Sequence, residues 1–272
     1  MTSLNDIYIA TAVTNNDYKD IVKVMASSFV RHNPGLQLHV YCLNFDNAAY
    51  AAYQSSFDML GVILHQIEYT NPYTDASATG KNHYRAILDS TSVKFKLLND
   101  NTDKDYFMWI DADTVFCKPL NGIERYLKYA AVYGVPRTRF LPTSELTFNA
   151  GVLIFHKKLA EGILDKYLAY CQKVQAIDPR LLGWSDEHFI RDEIHEKGLL
   201  PPLYNATPNN YSKNAIIGHL VGRVCPWTIP AIAVKYLNMP HSAIKPLCDI
   251  WLAEYANAKH LLSADFIKKI EE

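Results

Sequence analysis

Apolar residues along this chain recur with two periods, and the two alternate in blocks. Ile7 to Val13 is an apolar run with β-branched residues, the signal of a buried strand. Asn15-Asn16-Asp17 ends it and can cap a helix. Ile21, Val22, Val24, Met25, Ser28 and Phe29 then recur at helical spacing until Asn33-Pro34-Gly35 stops them. Leu36 to Leu43 reads as a second strand, Ala48 to Leu60 as a helix and Val62 to Ile67 as a third strand. Strand–helix repetition of this kind predicts a parallel sheet of the nucleotide-binding type. A polar loop over 70–80 precedes a helix over 82–98, and the apolar strand Tyr106 to Ile110 runs straight into Asp111-Ala112-Asp113.

The second half predicts a helix over 119–129, a strand over 130–135, a polar loop over 136–146 and a strand over 148–155. A helix over 159–174, an irregular stretch over 178–187 and a helix over 187–196 follow. Beyond Gly198 the pattern breaks into Pro-rich loops with one short apolar piece at Ile216-Ile217, and two helices close the chain near 243–257 and 263–271. No repeat or linker-like shift in composition divides it. The pattern predicts one α/β domain over 1–272 with a loop-rich C-terminal third.

Composition removes several function classes. The 272 residues carry a net charge of −1, which excludes a nucleic-acid binder held by bulk positive charge. With 49% apolar and 12% aromatic residues, a disordered acidic chain is excluded too. Five widely spaced cysteines without a C-x-x-C pair read as thiols in a reducing compartment. The start lacks a basic segment followed by an apolar one, and no stretch approaches the roughly 18 apolar residues of a membrane span. The expectation is a cytoplasmic protein without a transmembrane segment.

Asp111-Ala112-Asp113 carries the chemistry. Ligands of open α/β sheets bind beyond the carboxyl ends of strands, where this motif lies. In strand geometry residues two apart point the same way, so the two carboxylates converge with small Ala112 between them. Such a pair invites a hard divalent cation, Mg²⁺ or Mn²⁺. Two enzyme classes use this arrangement: a nucleotide-sugar glycosyltransferase, and a haloacid-dehalogenase-type phosphohydrolase with Asp111 as nucleophile. The second needs a further GDxxxD-like loop, which the sequence lacks. A catalytically silent nucleotide-sugar binder is the alternative outside enzymology.

Five segments in order resemble the metal-dependent GT-A glycosyltransferases, most closely glycosyltransferase family 8, which includes glycogenin and bacterial lipopolysaccharide galactosyl- and glucosyltransferases. They are IYIATAVTNNDY, SVKFKLLNDNTDKDYFMWIDAD, FNAGVLIFH, GWSDEHF and GHLVGRVCPW. The resemblance implies a Rossmann-like mixed sheet flanked by helices, with a nucleotide-binding half over 1–115, a sugar and acceptor half over 116–240 and C-terminal helices over 241–272. It implies that Thr11, Asn16, Asp17 and Tyr18 contact the nucleoside, with Tyr18 stacking on uracil. Lys94, standing where the family has Arg, would contact sugar or phosphate. Ala112, Asn149 and Gly151 would line the donor, and Gly222 and Arg223 would approach the diphosphate. His219 would join Asp111 and Asp113 as third ligand of Mn²⁺ or Mg²⁺. Asp186 falls on the family's Asp, and Glu187 replaces its Gln. Cys225 replaces the family's phosphate-binding Lys.

The implied reaction moves a hexose from a UDP-sugar to a glycan or glycolipid acceptor with retention of configuration. Two routes stay open: a covalent intermediate on Glu187 or Asp186, or attack by the acceptor hydroxyl on the face that the diphosphate leaves. The loops over 70–84 and 136–147 are the expected acceptor walls, with Asn82, His83, Tyr84, Arg137, Thr138 and Arg139.

Overall fold

The computed structural model describes residues 2–15, 18–73, 82–101, 103–137, 146–208, 210–220 and 241–271; at 82–87, 179–180 and 241–243 it describes the backbone alone. Seven strands form the central sheet: β1 (Ile7–Thr14), β2 (Leu38–Leu43), β3 (Ile63–Ile67), β4 (Tyr106–Ile110), β6 (Val132–Pro136), β7 (Phe148–His156) and β8 (Lys197–Leu199). A two-stranded ribbon pairs β5 (Thr114–Phe116) with β9 (Ile217–His219). The sheet order is β3-β2-β1-β4-β7-β6-β8. β1 to β4 run parallel, whereas β7 is antiparallel to both β4 and β6, so the sheet is mixed.

The order reverses direction at β1, which has β2 on one side and β4 on the other. Such a switch point opens a crevice beyond the carboxyl ends of the two flanking strands. Those ends are Thr14 of β1 and Ile110 of β4, so the Asp111 turn lies at the mouth.

Every residue of β4 is buried, as expected of a central strand with helices on both faces. Alternate residues of the sheet feed two cores. Ile7, Ile9, Val40, Met108 and Ile110 meet α1 (Tyr18–His32) and α2 (Asn47–Asp58). Ala10, Ala12, Phe107 and Trp109 meet α3 (Asn82–Asp100), α4 (Ile163–Ile177) and α5 (Ser185–Glu193). A third cluster packs α6 (His241–Ala258) and α7 (Ala264–Glu271) on the far side of α1 through Ile21, Val24, Leu247 and Trp251. Buried Asp20 on α1 fastens this clasp by accepting from the backbone and hydroxyl of Ser263 at 3.1 and 2.7 Å. Among the described residues no helix is long and apolar enough to cross a membrane.

The local differences from expectation have local causes. Instead of a helix over 119–129 there is one 3-10 turn, Ile123–Tyr126. Leu120, Ile123 and Leu127 are buried at helical spacing. Gly122, however, sits at φ 90°, and the Tyr133 hydroxyl accepts from the amides of Lys128 and Ala130 at 2.6 and 3.0 Å. Those amides are drawn out of any helical ladder. The helix expected from 159 starts at Ile163, after Gly162 at φ 66°. The helix expected from 187 starts at Ser185, which places both Asp186 and Glu187 in its first turn. Three-residue strands β5, β8 and β9 are too short to leave a period in the sequence.

Candidate active site

At the end of β4 the chain stops pairing and turns. The Asp111 amide still donates to the Gly151 carbonyl at 2.8 Å, and the Asp111 carbonyl accepts from the Thr114 hydroxyl at 2.9 Å. The indole of Trp109, two residues upstream on the same face, donates to Asp111 Oδ1 at 2.6 Å. The turn delivers the chain into β5, where Thr114 lies opposite His219 of β9. This ribbon carries His219 back to the motif: its Nε2 is 3.2 Å from Asp113 Oδ1 and 4.0 Å from Asp111 Oδ2. The ligand atoms of Asp111, Asp113 and His219 all lie within 4.8 Å of one another, the one such cluster of three among the described residues. The carboxylates thus converge through a turn and a ribbon, not through continued strand geometry.

Their electrostatics follow from crowding. Burial and the Asp113 charge push the Asp111 carboxyl up, against the pull of Lys94, His219 and the Trp109 N–H. Burial would lower the His219 imidazole, but Asp113 and Asp111 outweigh it and raise it. Among the described residues the cluster therefore holds two acids and a single titratable partner in contact with them, an arrangement that suits a cation.

Gly151 makes that arrangement possible. A Cβ there would lie 2.8 Å from His219 Nε2 and closer still to Nδ1 and Cε1, inside the ring's own contact distance. Any larger residue would have to expel the imidazole. Behind the ring, Nδ1 lies 3.0 Å from Asn205 Oδ1, and Asn205 Nδ2 donates to Asn149 Oδ1 at 2.8 Å. Asn149 thus faces His219's support, with its Oδ1 also accepting from the Gly151 amide at 3.1 Å.

The second acid pair opens α5. Asp186 Oδ2 accepts from Lys94 Nζ at 2.6 Å, and both side chains are almost fully buried. Lys94 also sits over the Trp109 ring at 5.3 Å. Burial would lower its pKa, but Asp186 and Asp111 outweigh that and raise it. The other oxygen, Asp186 Oδ1, accepts from the Glu187 amide at 2.9 Å. Glu187 pairs with Arg137 at the end of β6, and its Oε1 accepts from the Ala150 amide at 3.3 Å. Burial and Asp186 raise the Glu187 carboxyl, with Arg137 holding it back. Ala150 and Gly151 are consecutive, so the two acid pairs meet across β7.

Among the remaining expected residues, Thr11 is fully buried, and its hydroxyl has no partner among the described residues. Tyr18 begins α1, half-buried against two of the cores. Ala112 is buried in the core on the α1 side. Asn16, Asp17, Thr138, Arg139, Gly222, Arg223 and Cys225, and the side chains of Asn82, His83 and Tyr84, lie outside the described residues. The sequence reading missed three participants: Asn205, the Trp109 indole as a donor to Asp111, and Arg137 as the partner of Glu187. Only Trp109 left a signal, since residues two apart on a strand share a face.

A divalent cation fits this donor set. Two carboxylates and one imidazole supply negative charge and an unhindered nitrogen, and Gly151 gives up its side-chain space to the ring. Solved structures share the architecture. The galactosyltransferase LgtC, in complex with donor and acceptor sugar analogues, matches with a TM-score of 0.62 at 16% identity, over 89% of this chain and 95% of its own. The bifunctional glycosyltransferase WbbM matches with a TM-score of 0.62 at 13% identity over 98% of this chain, which spans 52% of WbbM. Mouse xyloside xylosyltransferase 1 matches with a TM-score of 0.54 at 14% identity, over 80% of this chain and 98% of its own. At such identities the likeness is one of fold: the chain has the GT-A fold of nucleotide-sugar glycosyltransferases. No protein-family model and no curated protein sequence matches it.

Proposed function

From a GT-A fold with an acidic cluster at its switch point, we propose that the protein is a metal-dependent glycosyltransferase. It moves a hexose from a UDP-sugar to a glycan or glycolipid acceptor, with retention of configuration. The observation that carries this reading is the convergence of Asp111, Asp113 and His219 within 4.8 Å beyond the carboxyl end of β4. These three residues would hold Mn²⁺ or Mg²⁺, whose positive charge would offset the negative charge developing on the departing diphosphate.

The chain's own residues do the rest. Lys94 holds Asp186 in place, and both Asp186 oxygens are engaged, so Asp186 acts as a support. Glu187 is the better candidate to face the anomeric carbon. The Ala150 amide and Arg137 orient its carboxylate, both through Oε1. A polar stabiliser of an oxocarbenium-like centre and a nucleophile make the same demand on its position. The 1–272 chain works as one domain in this reading, with UDP over β1 and the acceptor toward the loops after β3 and β6. Cys42, Cys117, Cys171 and Cys248 are free thiols, which supports a cytoplasmic setting.

Calorimetry of UDP with and without Mn²⁺ tests the reading. Metal-dependent UDP binding, together with slow metal-dependent hydrolysis of one UDP-sugar from a panel, is the expected result. Absence of UDP binding alongside turnover of a generic phosphate ester would return the dehalogenase-type alternative. UDP-sugar binding without hydrolysis or transfer would leave a silent binder.

A further inference from the structure

The hydrogen bonds behind His219 have a fixed direction, and that direction starts at a backbone N–H. The Gly151 amide can only donate, so the atom of Asn149 that it meets at 3.1 Å must be the carbonyl oxygen Oδ1. That oxygen and the Asn149 backbone carbonyl, both acceptors, face the same end of the Asn205 amide at 2.8 and 3.3 Å. Asn205 must therefore turn its NH₂ toward Asn149. Its own Oδ1 is left facing His219 Nδ1 at 3.0 Å. An oxygen there can only accept, so Nδ1 carries a proton, and Nε2, which faces Asp113 and Asp111, is the nitrogen left to bind a cation.

Asn205 is well placed to impose this. It is fully buried, and the next residue is tied to β9 from both sides: the Ala206 amide donates to the Ile217 carbonyl at 2.8 Å, and the Ala206 carbonyl accepts from the His219 amide at 2.9 Å. The geometry points to Asn205, backed by Asn149, as the positioning residue that fixes the tautomer and ring orientation of His219 for cation binding through Nε2. This rests on the metal-dependent reading above, and it adds Asn205, to which no sequence motif pointed. Outer partners of ligating histidines fix ring orientation in this way, and their loss costs about 10- to 100-fold in metal affinity.

Two readouts on the full-length chain, neither using a sugar, test it. The first is proton–nitrogen correlation spectroscopy of ¹⁵N-histidine-labelled, metal-free protein under alkaline conditions, where the imidazole is neutral, with His219 assigned by its absence in His219→Gln. Wild type should show His219 protonated at Nδ1, and Asn205→Leu should shift it toward the Nε2-protonated form. The second is a Mn²⁺ titration followed by electron paramagnetic resonance. Asn205→Leu should bind about 10- to 100-fold more weakly. A wild-type His219 protonated at Nε2 overturns the assignment even if Asn205→Leu fails to fold. Equal Mn²⁺ affinity in wild type and Asn205→Leu also overturns it. Failure to bind UDP would fell the transferase reading and leave both readouts untouched.

Discussion

Asp111 and Asp113 on one side of β7, and Asp186 and Glu187 on the other, are both close-set acid pairs at the same crevice, yet the fold treats their charges differently. Each acid of the second pair has its own strong cation: Lys94 for Asp186 and Arg137 for Glu187. Among the described residues, the first pair shares only the His219 imidazole in ion-pairing distance and one indole N–H. One pair is neutralised within the chain and locked in place. Among the described residues the other is left with surplus negative charge. Balanced charge fixes geometry, and the unbalanced pair is the one the proposed cation would offset.

That contrast can be broken at either pair. Asp113→Asn should cost the most in activity. A bound cation supplies several kcal/mol to the transition state, so turnover should fall roughly a thousandfold at about 1.4 kcal/mol per tenfold. Thermal unfolding of the metal-free variant should be unchanged or raised, because one of two crowded like charges is gone. Lys94→Met should do the reverse. It strands a buried carboxylate, and denaturant titration should show a loss of about 3–5 kcal/mol.

Gly151→Ala sits between the two. The added methyl meets the His219 ring, which should cost about 1–3 kcal/mol of stability and weaken Mn²⁺ binding as severely as His219→Ala does. Arg137→Met should have the smallest effect on stability, at most about 1 kcal/mol, because the Arg137 side chain is half exposed. Its signature is in the pH profile. Burial and Asp186 raise the Glu187 carboxyl, and Arg137 opposes them. Without Arg137 the carboxyl rises further, so if the carboxylate is the working form, the acid limb of kcat should move to higher pH. An unmoved limb would remove Glu187 from the reaction.

Much of the fold was legible because its signals are local. The all-apolar run of β4 announced a strand buried on both faces, and Asn33-Pro34-Gly35 announced the end of α1. Elements that deviated were shaped by a single side-chain contact or were too short to show a period. The Tyr133 hydroxyl takes the Lys128 amide at the end of the expected 119–129 helix, and three-residue β5 and β9 pair with each other. The site divided the same way. Asp111-Ala112-Asp113 stood out on its own strand, whereas Asn205 in its Pro-flanked loop gave no sign of its place behind His219.

The sequence by itself determined the order of the longer strands and helices and the acid motif at a strand end, which depend on neighbours a few residues apart, and the near-zero overall charge. Only the tertiary structure decided which charges cancel. Lys94 and Asp186 meet across 92 positions, and Arg137 and Glu187 across 50. Those encounters depend on which strands the crossing chain sets side by side, a property that no local period encodes. The same holds for the Gly151 cleft that admits His219: its close approach exists only where β7 and β9 converge on the end of β4.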